Sequence, residues 1–193
     1  SNKIIDVCNI NEFKIFSEVK TLNDTDESTL EIRADNQSQT EEQFTAKGNA
    51  EAERANDFLK ADDIVYNTRA KDLVASGNVK YFNQDISIYS KNASYKSNLD
   101  EINFSKAKYY KTDKRASGNA EEIFIKNNKD IILKNGSYTA CSLDNPDWEL
   151  TSTTTELYNS LDRGHAYNMV LRYKNIPVFY TPFMSFPLSD KRQ

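Results

Sequence analysis

Two side chains of this sequence could act together as a nucleophile and a base. Cys141 offers a thiol, and His165 is the only histidine of the chain. Such a pair can form a thiol dyad when the imidazole removes the thiol proton and a third group orients the imidazole. Both residues fall in strand-like segments, and nothing in the sequence marks an orienting group. We therefore interpret the pair as structural and expect that the protein is not an enzyme.

Motifs for other chemistries are missing from the sequence. A single histidine does not supply the usual histidine-rich metal site, so we expect no metal and no cofactor. The sequence contains no Gly-x-Ser-x-Gly elbow, no His-Glu-x-x-His pair and no phosphate-binding glycine loop. The sequence does not exclude a catalytic pair of carboxylates, because Asp and Glu are abundant. General acid–base catalysis needs placed, partly buried carboxylates, however, and these residues fall mostly in polar turns.

Charge and composition indicate further what the chain does not do. The 25 basic and 29 acidic side chains give a net charge of -4, whereas nucleic-acid binding needs a basic face. We therefore expect no nucleic-acid partner. No run of 18 apolar residues predicts a transmembrane helix, and no signal peptide is recognised. Eleven Tyr and ten Phe supply much of the apolar surface, and aromatic residues favour β-strands.

A pair of short motifs repeats along the chain from about residue 30 onward. Three segments begin with Gly-Asn, namely Gly48-Asn49, Gly77-Asn78 and Gly118-Asn119. A second element, of which Ala61-Asp62 is typical, recurs at 32–35, 59–62, 88–91 and 133–136. Repeats with spacings of this size favour stacked supersecondary units, which bury a core only through their neighbours.

Within each unit, apolar and polar residues alternate. Val79 and Tyr81 precede a polar turn at 83–85, and Ile86 and Ile88 follow it. Alternation bounded by Asn and Asp is the signal of a β-hairpin. The sequence therefore predicts an all-β fold built from a run of antiparallel hairpins, with two to four short strands in each unit.

The two ends of the chain differ from the repeat. Residues 1–27 show no clean periodicity, and we predict a flexible N-terminal arm there. Residues 28–174 form the predicted β domain. Residues 175–193 are predicted to be a junction, because 177–187 is extended and aromatic and holds three prolines, which forbid a central strand. Cys8 and Cys141 would be free in a reducing compartment. In an oxidising one they would be disulfide-bonded, to each other or to cysteines elsewhere.

Two features together resemble one family. The Gly-Asn and Ala-Asp repeat is similar to the OstA-like fold of periplasmic lipopolysaccharide-transport proteins. A second, more specific string comprises Cys141, Pro146-x-Trp148-x-Leu150, Ala166-x-Asn168, Ile176-Pro177-Val178-x-Tyr180-x-Pro182-Phe183-x-x-Phe186-Pro187 and Lys191-Arg192. That string resembles the segment joining the periplasmic domain to the β-barrel in the outer-membrane members of this family. The resemblance covers about residues 30–192, and Phe183 departs from it, since Tyr is commoner at that position.

The resemblance implies a fold, a function and partners. The expected fold is an LptA-like antiparallel β-jelly roll with two sheets in an open V. The expected function is to bind lipopolysaccharide acyl chains in an apolar groove and pass the lipid to an outer-membrane barrel. The expected location is the periplasmic face of the outer membrane. The implied partners are lipopolysaccharide, an LptA-like periplasmic bridge protein of the same fold, and an LptE-like plug lipoprotein of the barrel. The alternative is a structural β-repeat module of the cell envelope with a dry core.

Alternation and resemblance together assign the candidate site residues. The expected groove residues are Val79, Tyr81, Ile86, Ile88, Ile123, Ile125, Ile131, Leu133, Met169 and Leu171. The expected partner edge strand contains Leu30, Ile32 and Ala34. The expected junction toward the barrel contains Ile176, Pro177, Tyr180, Pro182, Phe186 and Pro187. The resemblance also implies that Cys8 and Cys141 each pair with a cysteine outside this chain and not with each other.

Overall fold

The computed structural model describes residues 30–111, 116–126, 129–141, 143 and 146–188. The expected N-terminal arm at 1–27, including Cys8, lies outside these residues. The described strands are β1 (Glu31–Arg33), β2 (Asn36–Gln39), β3 (Gln43–Arg54), β4 (Asp57–Asn67), β5 (Leu73–Phe82), β6 (Ile86–Lys96), β7 (Glu101–Lys111), β8 (Ala116–Lys126), β9 (Ile131–Tyr138), β10 (Trp148–Tyr158), β11 (Arg163–Tyr173) and β12 (Ile176–Pro187). A single 3-10 turn at Asn159–Leu161 joins β10 to β11.

From β3 onward, each strand pairs antiparallel with the next strand of the sequence. The order is β1-β3-β4-β5-β6-β7-β8-β9-β10-β11-β12, with β2 also paired to β3. The sheet is not closed, because β1 and β12 stand at opposite ends of this order. The predicted all-β run of antiparallel hairpins is therefore confirmed. In the part of the chain that the structure describes, no helix is long and apolar enough to cross a membrane.

A line of left-handed residues crosses the middle of the sheet, and we call it the crease. It contains Gly48-Asn49 in β3, Gly77-Asn78 in β5, Lys106 in β7, Asn135 in β9 and Asn168 in β11, all with positive φ. Left-handed residues interrupt an extended backbone, and bulges bend a strand. The crease therefore divides every long strand into two arms. Among the described residues, the A half comprises 31–33, 50–61, 79–90, 107–111, 116–120, 136–141, 146–152 and 169–181. The B half comprises 36–47, 63–76, 92–105, 122–126, 129–134, 154–167 and 183–187.

The crease folds the sheet over, so that the A half and the B half face each other. Through the successive pairings of β3 with β4, β4 with β5 and β5 with β6, Glu53 stands level with Ser87, and Arg54 therefore with Ile86. Tyr95 lies nine residues farther along β6, which is roughly 30 Å in a flat sheet at 3.3 Å per residue. The Arg54 guanidinium nevertheless donates a hydrogen bond to the Tyr95 hydroxyl at 3.2 Å. The two sheets that were predicted are thus two halves of one continuous folded sheet.

Hydrogen bonds across the crease explain the repeated motifs. The amide of Asn78 donates to the carboxylate of Asp62 at 2.9 Å, and Asn49 donates to Asp35 at 2.8 Å. Gly77 has a φ of +75°, and a Cβ there would lie 2.2 Å from the Asp62 carboxylate. Glycine is therefore required beside the aspartate. The Ala-Asp and Gly-Asn elements are two sides of one bend, contributed by neighbouring strands.

The third Gly-Asn pair does not belong to this pattern. Asn135 of β9 occupies the crease and donates to the Glu121 carboxylate of β8 at 2.6 Å. Gly118 lies outside the crease, where a Cβ would stand 1.9 Å from the carbonyl oxygen of Ser137. The alignment of Gly118-Asn119 with the two earlier Gly-Asn pairs was therefore wrong. That glycine is needed for close packing, not for a left-handed bend.

The inward faces of both halves meet in one apolar core. Neighbouring residues of a strand point to opposite faces, but Ile88 and Ala93 of β6 are both buried although their separation is odd. The crease between them shifts the alternation, so both arms of the strand turn the same face inward. Phe104 of the B half and Tyr81 of the A half pack with their ring centroids 5.2 Å apart. The halves are therefore in direct contact in this part of the sheet.

Candidate functional site

The residues predicted to line a groove lie in the core of the folded sheet. Nine of them are buried, namely Val79, Tyr81, Ile86, Ile88, Ile123, Ile125, Ile131, Leu133 and Met169. Leu171 is half-buried and lies at the C-terminal end of the sheet. The structure brings the first eight together in one packed core cluster, and Met169 is buried outside that cluster. A ligand reaches these nine positions only if the side chains that cover them move. Leu171 is the member of this set that a ligand reaches without such a movement.

The inward face becomes accessible at the C-terminal end of the sheet. Leu171 pairs with Leu150 on one side and with Phe179 on the other, and directly opposed residues share a face of the sheet. Leu150 in turn pairs with Tyr138. Phe179 is 54% exposed and Tyr138 is 36% exposed, so this face is open. We define the open face as Tyr138, Trp148, Leu150, Leu171, Tyr173 and Phe179.

The open face is apolar and rich in aromatic rings. The rings of Tyr138 and Trp148 lie 6.0 Å apart, and Trp148 pairs with Tyr173 across the A half. Uncharged aromatic and leucine side chains on an accessible surface suit an apolar ligand. Sequence reasoning did not include these aromatic residues in the groove. The alternation of Trp148 with Leu150 is the signal that could have found them.

Two buried tyrosine side chains lie in the closed part of the interior, and each has a hydrogen-bonded hydroxyl. The Tyr81 hydroxyl donates to the Asp57 carboxylate at 2.6 Å, and burial and the Asp57 charge raise the pKa of Tyr81. The Tyr109 hydroxyl donates to the carbonyl oxygen of Ser137 at 2.7 Å, and burial raises the pKa of Tyr109. Both side chains therefore stay neutral at physiological pH, and the interior carries no charge from them.

The side chains first considered for a thiol dyad occupy different places. His165 lies in the B half of β11, between the rings of Tyr158 and Phe183 at centroid distances of 5.6 and 5.5 Å. Cys141 follows β9 at the end of the A half, is 3% exposed and is disulfide-bonded. A bonded sulfur carries no thiol proton for a histidine to remove. In the described residues, no group of three His, Cys, Asp or Glu side chains could hold a metal ion.

The expected pairing of the two cysteines stays a prediction. Cys8 lies outside the described residues, so the structure does not test whether Cys8 and Cys141 each pair with a cysteine outside this chain.

Both ends of the sheet are edge strands. Leu30, Ile32 and Ala34 lie in and beside β1, where Ile32 pairs with Ala52 of β3. In the described residues, no strand pairs with the other side of β1 or β2, so this end exposes backbone donors and acceptors.

The predicted junction residues Ile176, Pro177, Tyr180, Pro182, Phe186 and Pro187 all lie in β12. Their strand is the other edge of the sheet, where prolines cost no ladder hydrogen bond. Phe186 packs over Gly164, where a Cβ would stand 2.4 Å from its ring. The predicted exclusion of this segment from a central strand is confirmed.

The fold and the open face define a class: an open antiparallel β-sheet, folded on itself, with an accessible apolar inner surface. No family model matches the chain, but sequence comparison finds similar proteins. The chain is 34% identical over 164 residues to the LPS-assembly protein LptD of Burkholderia cenocepacia strain HI2424, covering 84% of this chain and 21% of that protein. It is 32% identical over 155 residues to LptD of Paraburkholderia xenovorans strain LB400, covering 80% and 20%.

A more distant relative agrees with these matches. LptD of Xanthomonas oryzae pv. oryzae strain MAFF 311018 is 28% identical over 163 residues, covering 84% of this chain and 20% of that protein. The chain is similar to LptD proteins over one segment of their length. It spans about a fifth of the curated relatives that it matches. Among solved structures, LptH of Pseudomonas aeruginosa, titled the LptA homologous periplasmic component of the lipopolysaccharide transport device, has a TM-score of 0.44 and 12% identity, over 50% of this chain and 74% of that one.

Proposed function

We propose that this chain is the periplasmic segment of a lipopolysaccharide-assembly protein and binds the acyl chains of lipopolysaccharide on its inward face. The observation that carries this proposal is the open face, an accessible apolar surface continuous with the core. Its relatives are named after lipopolysaccharide assembly. Each methylene removed from water contributes about 0.8 kcal/mol, so some ten methylenes hold a lipid reversibly, by roughly 8 kcal/mol.

Lipid binding would begin at the open face and extend inward. Leu171 is accessible, whereas Met169 beside it is buried. An acyl chain placed on Leu171 would reach Met169, and then Leu133 and Ile131, when the halves move apart. The nine buried groove residues are in this proposal the deeper part of the lipid path, and the open face, which includes Leu171, is its mouth.

The same proposal assigns the two edges of the sheet. A periplasmic bridge protein of the same fold would add a strand beside Ile32, since exposed strand edges pair readily with other chains. The lipid would then pass along the interior toward β12, and from there to an outer-membrane barrel belonging to the rest of a longer protein. A plug lipoprotein would act on that barrel and not on this segment.

Adjacent residues of β12 provide a matched test. Phe179 shares the face of Leu171, whereas Tyr180 pairs with Val170 on the opposite face. The two side chains are 54% and 57% exposed, so accessibility alone does not distinguish them. A photo-crosslinking amino acid at Phe179 should capture added lipopolysaccharide, and one at Tyr180 should not. Equal capture at both positions, or none at Phe179, would reject the proposal.

One observation favours a second function. Ile64, Ile88 and Phe104 are fully buried, which is typical of a dry packed core. The chain would then be a structural module of the cell envelope that binds other proteins through its edges. An apolar dye separates the two functions, because the native protein should bind the dye at the open face and lose that binding in a Leu171→Asp variant. A dry module would bind no dye in either form.

A further inference from the structure

The two halves of the sheet meet along a seam opposite the crease. Hairpin turns form both of its rims. The A rim includes the turns at 55–56, 83–85 and 174–175, and the B rim includes those at 68–72, 97–100 and 159–162. The gap between the rims is the place where the interior between the halves can communicate with solvent.

One set of contacts spans this seam. Arg54 ends β3 at the A rim, and its guanidinium donates to the Tyr95 hydroxyl, near the B rim, at 3.2 Å. The guanidinium carbon also lies 5.9 Å from the centroid of the Tyr95 ring. The Tyr95 hydroxyl in turn donates to the Asp100 carboxylate at 2.9 Å. Arg54, Tyr95 and Asp100 therefore form one chain of contacts that connects the A rim to the B rim.

The Arg54 side chain stays charged, and its contact with Tyr95 is weak enough to break and re-form. The hydrogen bond with Tyr95 and the nearby Asp100 and Asp57 raise the pKa of Arg54, so the side chain is always a cation. Its position at the rim is exposed, where one cation–π contact and one hydrogen bond are individually weak. The tyrosine ring packs against the core, so the side chain on the B half is held in place.

A lipid with a large polar headgroup needs an open seam. Its acyl chains lie between the halves, but sugars and phosphates are costly to bury without hydrogen bonds. The headgroup must then project through the gap between the rims. A contact that joins the rims at Arg54 and Tyr95 blocks the movement of such a headgroup along the seam, while a simple fatty acid could lie beneath it.

We propose that Arg54, Tyr95 and Asp100 form a latch that closes the seam and must open before a headgroup-bearing lipid can occupy the interior beneath it. This inference rests on the proposed lipid binding and adds a control on it. The latch divides the interior into a gated part, around Tyr81, and the freely accessible open face, around Phe179.

The test compares lipid capture at these two places. In one variant a photo-crosslinking amino acid replaces Tyr81, and in another it replaces Phe179. Purified rough lipopolysaccharide is the probe for both variants. An Arg54→Cys/Tyr95→Cys variant, with Cys8 and Cys141 replaced by serine, is bridged by a bis-maleimide to lock the seam. Bridging should abolish lipopolysaccharide capture at Tyr81 and leave capture at Phe179 unchanged. Arg54→Ala should raise capture at Tyr81 roughly fivefold, the population shift expected for losing a contact of this strength.

Controls separate the latch from general rigidity. Palmitate has no bulky headgroup, so it should reach Tyr81 equally in the bridged and unbridged proteins. Asp72→Asn breaks the contact of Asp72 with Lys96 at 2.9 Å, which stays within the B rim, and it should leave capture at Tyr81 unchanged.

Each remaining outcome has a defined meaning. Lipopolysaccharide capture at Tyr81 that does not respond to bridging, with capture at Phe179 intact, overturns the latch alone. Loss of palmitate capture at Tyr81 in the bridged protein also overturns the latch, since the interior would then be closed to all lipids. Absence of lipopolysaccharide from Phe179 in the unbridged protein overturns the proposed function itself.

Discussion

The two ends of the folded sheet bend in different ways. In β3 and β5, a Gly-Asn pair puts two consecutive left-handed residues into the strand, and the register with the following strand shifts there. In β9 and β11, a single residue, Asn135 or Asn168, is left-handed, and the pairing of β10 with both strands continues without a shift. An added residue bends a strand, so the halves are brought together where the Gly-Asn pairs lie.

Burial follows this difference along the sheet. Ile64, Val79 and Phe104 are fully buried between the halves in the first part, whereas Tyr173 and Phe179 in the last part are about half exposed. One sheet therefore contains both a closed core and an accessible apolar surface. The geometry of the bends determines which of the two each part becomes.

The largest expected effect comes from truncating the same residue type in the two regions. Phe104→Ala should lower the free energy of unfolding by about 3–5 kcal/mol, because it leaves a cavity in the closed interior. Phe179→Ala should lower it by less than about 1 kcal/mol, because the ring already contacts water. Urea denaturation of both variants measures the difference. Equal losses would show that the open face is part of the core.

A smaller effect should separate the bends themselves. Asn78 donates to the charged Asp62, whereas Asn168 donates to the neutral hydroxyl of Thr153 at 3.1 Å. Both asparagines are left-handed, so replacement by alanine removes the same backbone preference. In a Tyr180→Phe background, which removes a second bond to Asn168, Asn78→Ala should cost about 0.5–1 kcal/mol more than Asn168→Ala.

Denaturation in a second background tests the cause of this difference. The difference in free energy of unfolding between Asn78→Ala and Asn168→Ala should shrink in an Asp62→Asn background. If Asp62→Asn leaves that difference unchanged, the charge of Asp62 does not cause it, and the two bends are energetically alike.

The smallest effect concerns pH and the B rim of the closed region. Asp72 accepts hydrogen bonds from the Ser97 backbone N–H and from Lys96, both at 2.9 Å, and these lower its pKa from the ordinary 3.8. A lowered carboxyl pKa gives stability that is present above pH 3.8 and is lost as the pH falls through the lowered value. Asp72→Asn should therefore weaken the acid dependence of unfolding slightly. An unchanged acid transition in urea titrations would contradict this assignment.

The strands and several of their turns follow from local features of the sequence. Alternation around Val79, Tyr81, Ile86 and Ile88 predicted inward-facing positions, and all four are buried. The prolines of 177–187 predicted that this segment is not a central strand, and β12 lies at an edge of the sheet. These features are local: side-chain alternation and the missing proline N–H act within a few residues, so they can be recognised from the chain alone.

The expected units of short strands correspond to long strands with a bend. β6, for example, runs unbroken from Ile86 to Lys96, across the crease. The bend depends on residues of neighbouring strands, as Asn135 and Glu121 show, and the sequence repeat assigned that place to Gly118 instead. A glycine that permits a left-handed bend and a glycine that permits close packing are identical in the sequence, and only their neighbours in space distinguish them.

Which inward residues form the core and which are accessible depends on the tertiary structure. Ile88 and Leu171 have the same apolar character and the same alternation, yet Ile88 is fully buried and Leu171 is only half-buried. Alternation determines the face of the sheet to which a side chain points, because it depends on the backbone of one strand. Whether anything covers that face depends on how closely the opposite half approaches, and this distance is set by bends many residues away.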